Sequence, residues 1–423
     1  MTASPTNSAQ HQCCGQNDGD MLSVQEGVNR ILAAVSPLSG MQVLDVRRAR
    51  SRVLATDVVS PINVPAYDNS AMDGYAVASS DLTDDHEQRF TVVGNVLAGH
   101  PFRDLLQPGQ CVQIMTGAQM PQGLDTVIMK EICRREGDQL FFPGGAKPGQ
   151  NRRRAGEDLT RGAPAISAGQ RLEAAELGMI ASLGQSEVQV KRRPRVAYFS
   201  TGDEIRSLGQ TLEPGQIYDS NRYTITALLA SMGIEVIDLG VIPDRAAAIE
   251  AAFSGAAAQA DVVLSSGGVS LGDADYVKDT LDRLGHVSFW KMAIKPGRPL
   301  AFGRLNDALF FGLPGNPVAV MITFLQFVKP ALRKLEGESQ WSTPVMELPA
   351  GEPMRKKPGR TEYIRGSVIS DGRGQLQVVS TGQQGSGILT SMSRANCLIE
   401  LEPERGSVAT GDPVRLYPFF GLL

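Results

Sequence analysis

The sequence predicts a multidomain chain, α/β plus β. A three-layer α/β domain is expected over 191–337, with a mixed α/β N-terminal region, an inserted β-rich domain and a C-terminal β-barrel. Three observations predict it. From Arg195 to about residue 335, short apolar runs of buried-strand character alternate with helical segments, the pattern of a parallel sheet with crossover helices. Over 61–147, short apolar runs are each bounded by Gly, Pro or Asp. After residue 338 the helical pattern stops, and Gly- and Ser-rich turns punctuate short strands. At about 150 residues per domain, 423 residues allow two to four domains.

In chain order, residues 1–20 are polar and read as a disordered tail. Ser23 with Glu26 forms a capping-box pattern, and Val24, Val28, Ile31, Leu32 and Val35 follow at helical spacing. Segments 21–60 and 148–190 read as one N-terminal domain interrupted by 61–147. The inserted domain carries the runs Phe90–Val93, Val112–Met115 and Thr126–Met129. Glu173–Leu183 reads as a helix stopped by Gly184. In the α/β domain, strands are expected at Val196–Ser200, Ile234–Leu239, Asp261–Ser265 and Ala308–Gly312. Helices are expected near 221–232, 245–258 and 275–284, with another opening at Pro317, where a missing N–H costs nothing. The region 338–423 reads as a small barrel or sandwich.

Composition narrows the function. Lys plus Arg number 41 against 45 Asp plus Glu, a formal net charge of -4, so there is no basic footprint for nucleic acid. No apolar run reaches the ~20 residues of a membrane span, and the N-terminus lacks a secretory pattern, so a cytoplasmic protein that avoids membranes is expected. The cysteines Cys13, Cys14, Cys111, Cys133 and Cys397 form no CxxC, and reduced thiols are expected. His11, His86, His100 and His286 lack paired ligand spacing, which argues against a zinc hydrolase.

Ligands of open α/β sheets bind outside the carboxyl ends of the strands, and four loops there carry unusual residues. Ser200–Glu204 ends a strand in Thr-Gly and places Asp203 and Glu204 at the rim. Asp244 precedes a helix and could be its N-cap or part of the site. Ser265–Asp275 contains Ser266, the paired Gly267 and Gly268, Ser270, Asp273 and Asp275. Paired glycines admit an anion to backbone N–H groups, and aspartates beside a phosphate suggest a bridging Mg²⁺. Lys291, Lys295-Pro296-Gly297-Arg298-Pro299 and Pro314-Gly315-Asn316-Pro317 place cations on and beside stiff turns suited to an oxyanion, although Lys291 alone could be a solvated charge. Elsewhere, Pro65–Tyr75 reads as an ordered polar loop, and Arg152–Arg154 as a face of ion pairs with Glu157 and Asp158.

Taken in order, Pro65–Tyr75, Met115–Ala118, Ser200–Glu204, Ser265–Asp275, Lys295–Pro299 and Leu313–Pro317 resemble the molybdopterin molybdenumtransferase family, which includes the E domain of gephyrin. The resemblance runs from about Met21 to the C-terminus. It implies a homodimer with an elongated N-terminal dimerisation domain (21–60 and 148–190) and a molybdopterin-binding α/β domain. It also implies a Mg²⁺-dependent reaction that joins molybdate to adenylylated molybdopterin and releases AMP, and contacts with other cofactor-synthesis enzymes. By motif position, Glu204, Asp244, Asp275, Lys291 and Lys295 would be catalytic, and Asp203, Glu204, Asp244 and Asp275 would hold the metal. Asp73, Thr116, Asp158, Ser266, Gly267, Gly268, Ser270, Arg298, Pro314, Gly315, Pro317, Arg360 and Ser386 would bind substrate, with Asp73 and Thr116 drawn from the partner subunit and Arg360 and Ser386 on molybdate.

The sequence departs from the family pattern at Arg298, where many relatives have Lys, and at Ala319, where many have Ser. Ala155 stands where a basic residue is common. Three rival readings are a molybdopterin adenylyltransferase, a gephyrin-like scaffold and a storage protein. The first would not need Pro65–Tyr75 or the C-terminal domain, the second lacks a long linker and a further enzyme domain here, and the lysine and aspartate set argues against the third.

Overall fold

The computed structural model describes residues 21–83, 86–267, 280–281 and 283–422. The tail with Cys13 and Cys14, most of the expected helix 275–284, and the expected site residues Gly268, Ser270, Asp273 and Asp275 lie outside the described residues. The chain divides into two compact units, Met41–Val190 and the remainder.

The larger unit is built on a six-stranded sheet: β1 (Val196–Thr201), β2 (Val236–Ile242), β3 (Val262–Ser266), β4 (Gly285–Lys291), β5 (Pro299–Leu305) and β6 (Ala308–Leu313), in the order β2-β1-β3-β6-β5-β4. Every residue of β1, β3 and β6 is buried, as expected of strands covered on both faces. One face packs Val196, Tyr198, Leu264 and Phe311 against helices Val24–Ala34, Ser220–Ser231 and Pro317–Thr323. The other packs Ala197, Phe199, Val263 and Phe310 against Ile249 and Phe253 of helix Ala246–Gln259. These are the three layers expected from the sequence.

The sheet is mixed rather than wholly parallel. β2, β1, β3 and β6 are parallel, whereas β5 opposes β6 and β4 opposes β5. The β4–β5 hairpin escaped the sequence reading because β4 is only half covered. His-Val-Ser-Phe-Trp-Lys alternates instead of forming an apolar run. This geometry has a consequence for function. The loops after β1, β2, β3, β4 and β6 all leave by one edge of the sheet.

At the start of the larger unit, the Ser23 side chain accepts from Glu26 N, but the Glu26 carboxylate turns to Arg30 at 2.5 Å. The expected capping box is therefore half made. At the other end, Thr361–Ser370, Cys397–Leu401, Pro413–Pro418 and Met346–Pro349 form a sheet that curls until Ala350 bridges Val378 of Leu376–Ser380, itself paired with Thr361–Ser370. Val378, Ile399, Leu401 and Leu416 fill its interior, so a barrel forms.

The smaller unit has a six-stranded sheet in the order Thr126–Met129, Gly74–Val77, Gln110–Ile114, Gln88–Val96, Gln139–Phe142 and Arg134–Glu136. Apolar clusters cover both faces, Phe90, Cys111 and Phe142 on one and Val96, Val112 and Val127 on the other. Helix Ala174–Ser182 has a full capping box between Glu173 and Glu176, and Gly184 follows it at φ +73. Among the described residues, no helix is long and apolar enough to cross a membrane.

Candidate active site

The acidic residues come from the ends of β1 and β2. Asp203 and Glu204 follow β1, and Asp244 follows β2; all three are exposed. The Asp244 N–H points at Asp203 Oδ1 at 3.4 Å, which brings the two turns together. Asp244 does not cap the next helix, whose N-cap position is Arg245 without a side-chain bond. The Glu204 carboxylate folds back over Gly202, where an added Cβ would lie 2.7 Å from it. Among the described residues, no three His, Cys, Asp or Glu side chains gather as a metal site.

Gly267 follows β3 at φ +86, and a Cβ there would fall 2.5 Å from the Thr201 carbonyl oxygen. Only glycine fits, and its own N–H donates to the Leu313 carbonyl at 3.3 Å. Its neighbour Ser266 ends the strand. That hydroxyl is buried inside the sheet, 2.6 Å from Tyr198 Oη and 3.2 Å from Ser200 Oγ, so it is committed below the rim. Burial pushes the Tyr198 phenol well above its ordinary range, so it stays protonated and has one proton to donate within this trio.

The basic residues lie at the opposite end of the same edge. Lys291 ends β4, and Lys295 and Arg298 project from the exposed turn into β5. That turn is seated on the helix opened by Pro317. Gly297 has φ +105, and a Cβ there would meet Thr323 Cγ2 at 2.6 Å. At about 4.8 Å per strand step, three steps separate β3 from β4, so roughly 14 Å lies between Gly267 and Lys291. The edge suits an extended ligand.

The C-terminal barrel closes on these basic turns. Ile294 and Lys295 pair in parallel register with Thr361 and Glu362, which puts Arg360 next to the Lys295 turn. Lys295 Nζ donates to Glu362 Oε2 at 3.1 Å. Ser386 accepts through its backbone carbonyl from Val318 N at 3.0 Å, in the first turn of the Pro317 helix. Pro314 is buried beneath this turn, and Gly315 is exposed. The larger unit thus collects Lys295, Arg298, Arg360, Ser386 and Pro317 around two turns.

Two residues here escaped the sequence reading. Glu362 was legible only as part of a strand, since its ion pair spans 67 residues. Arg365 is 1% exposed, donating to Ser391 Oγ at 3.0 Å and the Gly385 carbonyl at 3.1 Å, and its own N–H bonds Gln384 Oε1. Burial lowers its guanidinium to about 10, so it stays charged at neutral pH. No carboxylate pairs with it among the described residues. It anchors the loop that carries Ser386.

In the smaller unit, Asp73 and Thr116 meet. Asp73 Oδ1 accepts from Thr116 N at 2.9 Å and Oγ1 at 2.7 Å, and Oδ2 accepts from Lys130 Nζ at 3.1 Å. The Thr116 backbone bond, its hydroxyl and then Lys130 hold the Asp73 carboxyl at about 2. Lys130 was not expected at this position. Asp158 donates its N–H to the Val64 carbonyl, beside the start of Pro65–Tyr75. The expected pairing within Arg152–Asp158 is replaced. Arg152 meets Asp68 at 3.6 Å, and Glu157 accepts from Arg154 N.

One expected result follows from the Asp73 contacts. Thr116→Val removes the hydroxyl donor, so the Asp73 titration midpoint should rise from about 2 toward the ordinary carboxylate value near 4. In the unaltered protein the stabilisation is present above pH ~4 and is lost as pH falls through the depressed value. Carboxyl NMR titration checks both. An unchanged midpoint in the variant would show that the hydroxyl bond is immaterial.

Comparison with known proteins agrees along the chain. Residues 22–184 match the MoeA N-terminal region (domain I and II), 197–334 match a probable molybdopterin binding domain, and 347–419 match the MoeA C-terminal region (domain IV). The chain is 44% identical over 405 residues to the molybdopterin molybdenumtransferase of Haemophilus influenzae, covering 95% of this chain and 100% of that protein. It is 38% identical to that of a Nostoc species, covering 93% of each. Its fold is similar to the crystal structure of a molybdopterin biosynthesis MoeA protein from Pyrococcus horikoshii, with a TM-score of 0.82, 27% identity and coverage of 94% of this chain and 100% of that one. By sequence and by fold, the chain belongs to the molybdopterin molybdenumtransferase family.

Proposed function

We propose that this protein inserts molybdenum from molybdate into adenylylated molybdopterin, releasing AMP and forming molybdenum cofactor. The observation that carries the reading is the pairing of Ile294 and Lys295 with Thr361 and Glu362, which brings Arg360 beside the Lys295–Pro299 turn, on the sheet edge that also carries Asp203 and Asp244. Molybdate is a dianion, and the adenylylated pterin carries a pyrophosphate. Both need cations and N–H donors preorganised around them. Lys295 and Arg298, on a turn that Thr323 holds rigid, suit the molybdate oxygens, and a guanidinium can grip two at once. The pyrophosphate would lie over the turn that Gly267 opens. Asp203 and Asp244 would hold Mg²⁺, which would offset negative charge at the phosphoanhydride that breaks. Glu204 and Lys291 complete the catalytic set in this proposal, and Asp73, Thr116 and Asp158 belong to substrate binding. Homodimer assembly and a cytoplasmic location are part of the same reading, and light scattering at twice the chain mass tests the first.

The function is tested by supplying purified adenylylated molybdopterin, molybdate and Mg²⁺ and assaying molybdenum retained on the pterin. The expected product is a molybdenum-bearing pterin. With ATP and molybdopterin instead, no pyrophosphate should form. Pyrophosphate release there, without molybdenum insertion in the first assay, would identify an adenylyltransferase and overturn the reading.

A further inference from the structure

Three buried polar atoms near the Gly267 turn have no hydrogen-bond partner among the described residues: the Thr201 hydroxyl, Asp219 Oδ2 and Asn221 Oδ1. Their residues are 7%, 2% and 8% exposed. Two glycines link Asn221 to Thr201, and Asp219 stands two residues before Asn221. Asn221 Nδ2 donates to the Gly315 carbonyl at 2.7 Å. A Cβ on Gly315 would lie 3.9 Å from the Gly267 Cα, and one on Gly267 would lie 3.2 Å from the Thr201 hydroxyl. Asp219 caps the helix Ser220–Ser231, but Oδ1 alone does so, by accepting from Arg222 N at 3.1 Å. Capping therefore explains one carboxylate oxygen and leaves the other.

The chemistry of these atoms limits what can satisfy them. The bond to Gly315 fixes the Asn221 amide, so its open atom is an acceptor, as is Asp219 Oδ2. An acceptor buried without a donor destabilises the fold. Molybdate and the pyrophosphate bridge to AMP carry no donor at neutral pH and cannot satisfy these acceptors. An N–H-bearing heterocycle can. The aminopyrimidinone ring of a pterin presents an amino group and an adjacent ring N–H side by side, matching two acceptors. Adenine offers one amino group beside a ring nitrogen that only accepts.

We propose that Asp219 and Asn221, assisted by the Thr201 hydroxyl, are the specificity residues that read the amino and N–H edge of the substrate's pterin ring. The inference rests on the proposed function, and it divides the sheet edge by chemistry. Acceptors beside β1, β3 and β6 take the heterocycle, and the cationic turns beside β4 and β5 take molybdate.

Asp219→Asn is the sharpest variant, because it keeps the capping oxygen and the side-chain shape but replaces the open acceptor with a donor. Its affinity for molybdopterin should fall roughly tenfold or more, with its affinities for AMP and molybdate and its melting temperature unchanged. In the unaltered protein, 6-carboxypterin should displace molybdopterin roughly tenfold better than the corresponding lumazine, whose amino group is replaced by a carbonyl. This second measurement needs no variant and stands even if Asp219→Asn fails to fold. Equal displacement by the two heterocycles overturns the proposal. So does an Asp219→Asn protein that binds molybdopterin normally, or one that loses AMP instead, which would assign the acceptors to adenine. Failure of the unaltered protein to bind molybdopterin at all would bring down the proposed function as well, whereas normal binding with an indifferent Asp219→Asn would remove only this inference.

Discussion

Lys295→Gln should slow AMP release from adenylylated molybdopterin by roughly 10²- to 10³-fold, the usual effect of removing one preorganised charge stabiliser. Lys295 stands on a turn that cannot relax, since Gly297 at φ +105 is pressed against Thr323. Its ammonium is held at 3.1 Å by the mostly buried Glu362, on the strand that follows Arg360. The strand pairing of Ile294–Lys295 with Thr361–Glu362 sets that geometry before substrate arrives. Because Lys295 itself is half-exposed, losing the ion pair should cost stability little, within about 1 kcal/mol. Steady-state kinetics beside a melting curve separates the effects. Glu362→Gln should act in the same direction and more weakly, through misplacement of Lys295. A Lys295→Gln enzyme within twofold of the normal rate would remove Lys295 from the chemistry.

The second large effect is on stability. Arg365→Met should lower stability by roughly 3–5 kcal/mol. Met approximates the volume but leaves the Gly385 carbonyl and the Ser391 hydroxyl without their guanidinium donor. Those bonds fasten the Gln384–Ser391 stretch to the Thr361–Ser370 strand, so the Ser386 backbone should lose its fixed position against Val318. A lower urea midpoint and a raised molybdate KM, with the KM for the pterin nucleotide less affected, are expected together. An unchanged midpoint would show that the barrel tolerates loss of this buried cation.

How much of this was legible in the sequence depended on the range of the interactions. Local signals read well. The buried strands Val196–Thr201 and Ala308–Leu313, the Glu173–Leu183 helix and the Pro317 helix start all follow from short-range pattern and capping chemistry. The glycine at 267 announced a tight turn, and the Thr201 carbonyl pressed against it is the physical reason. The β4–β5 hairpin was missed because β4 alternates instead of forming a continuous apolar run. Distant pairings left no trace in the sequence. Glu362 beside Lys295, Lys130 beside Asp73, and Asp68 in place of Glu157 for Arg152 are all made by folding. Asp219 and Asn221 looked like an ordinary helix start, and only the unpartnered oxygens of the folded chain distinguish them.

The most direct measurement of the central claim is single-turnover AMP release from purified adenylylated molybdopterin, with molybdate and Mg²⁺ each supplied or withheld. If the cationic turns and the Asp203–Asp244 pair act on one reaction, AMP should appear rapidly only when both are present, with one molybdenum retained on the pterin for each AMP released. AMP released at the same rate without molybdate, or molybdenum bound with no AMP released, would contradict it.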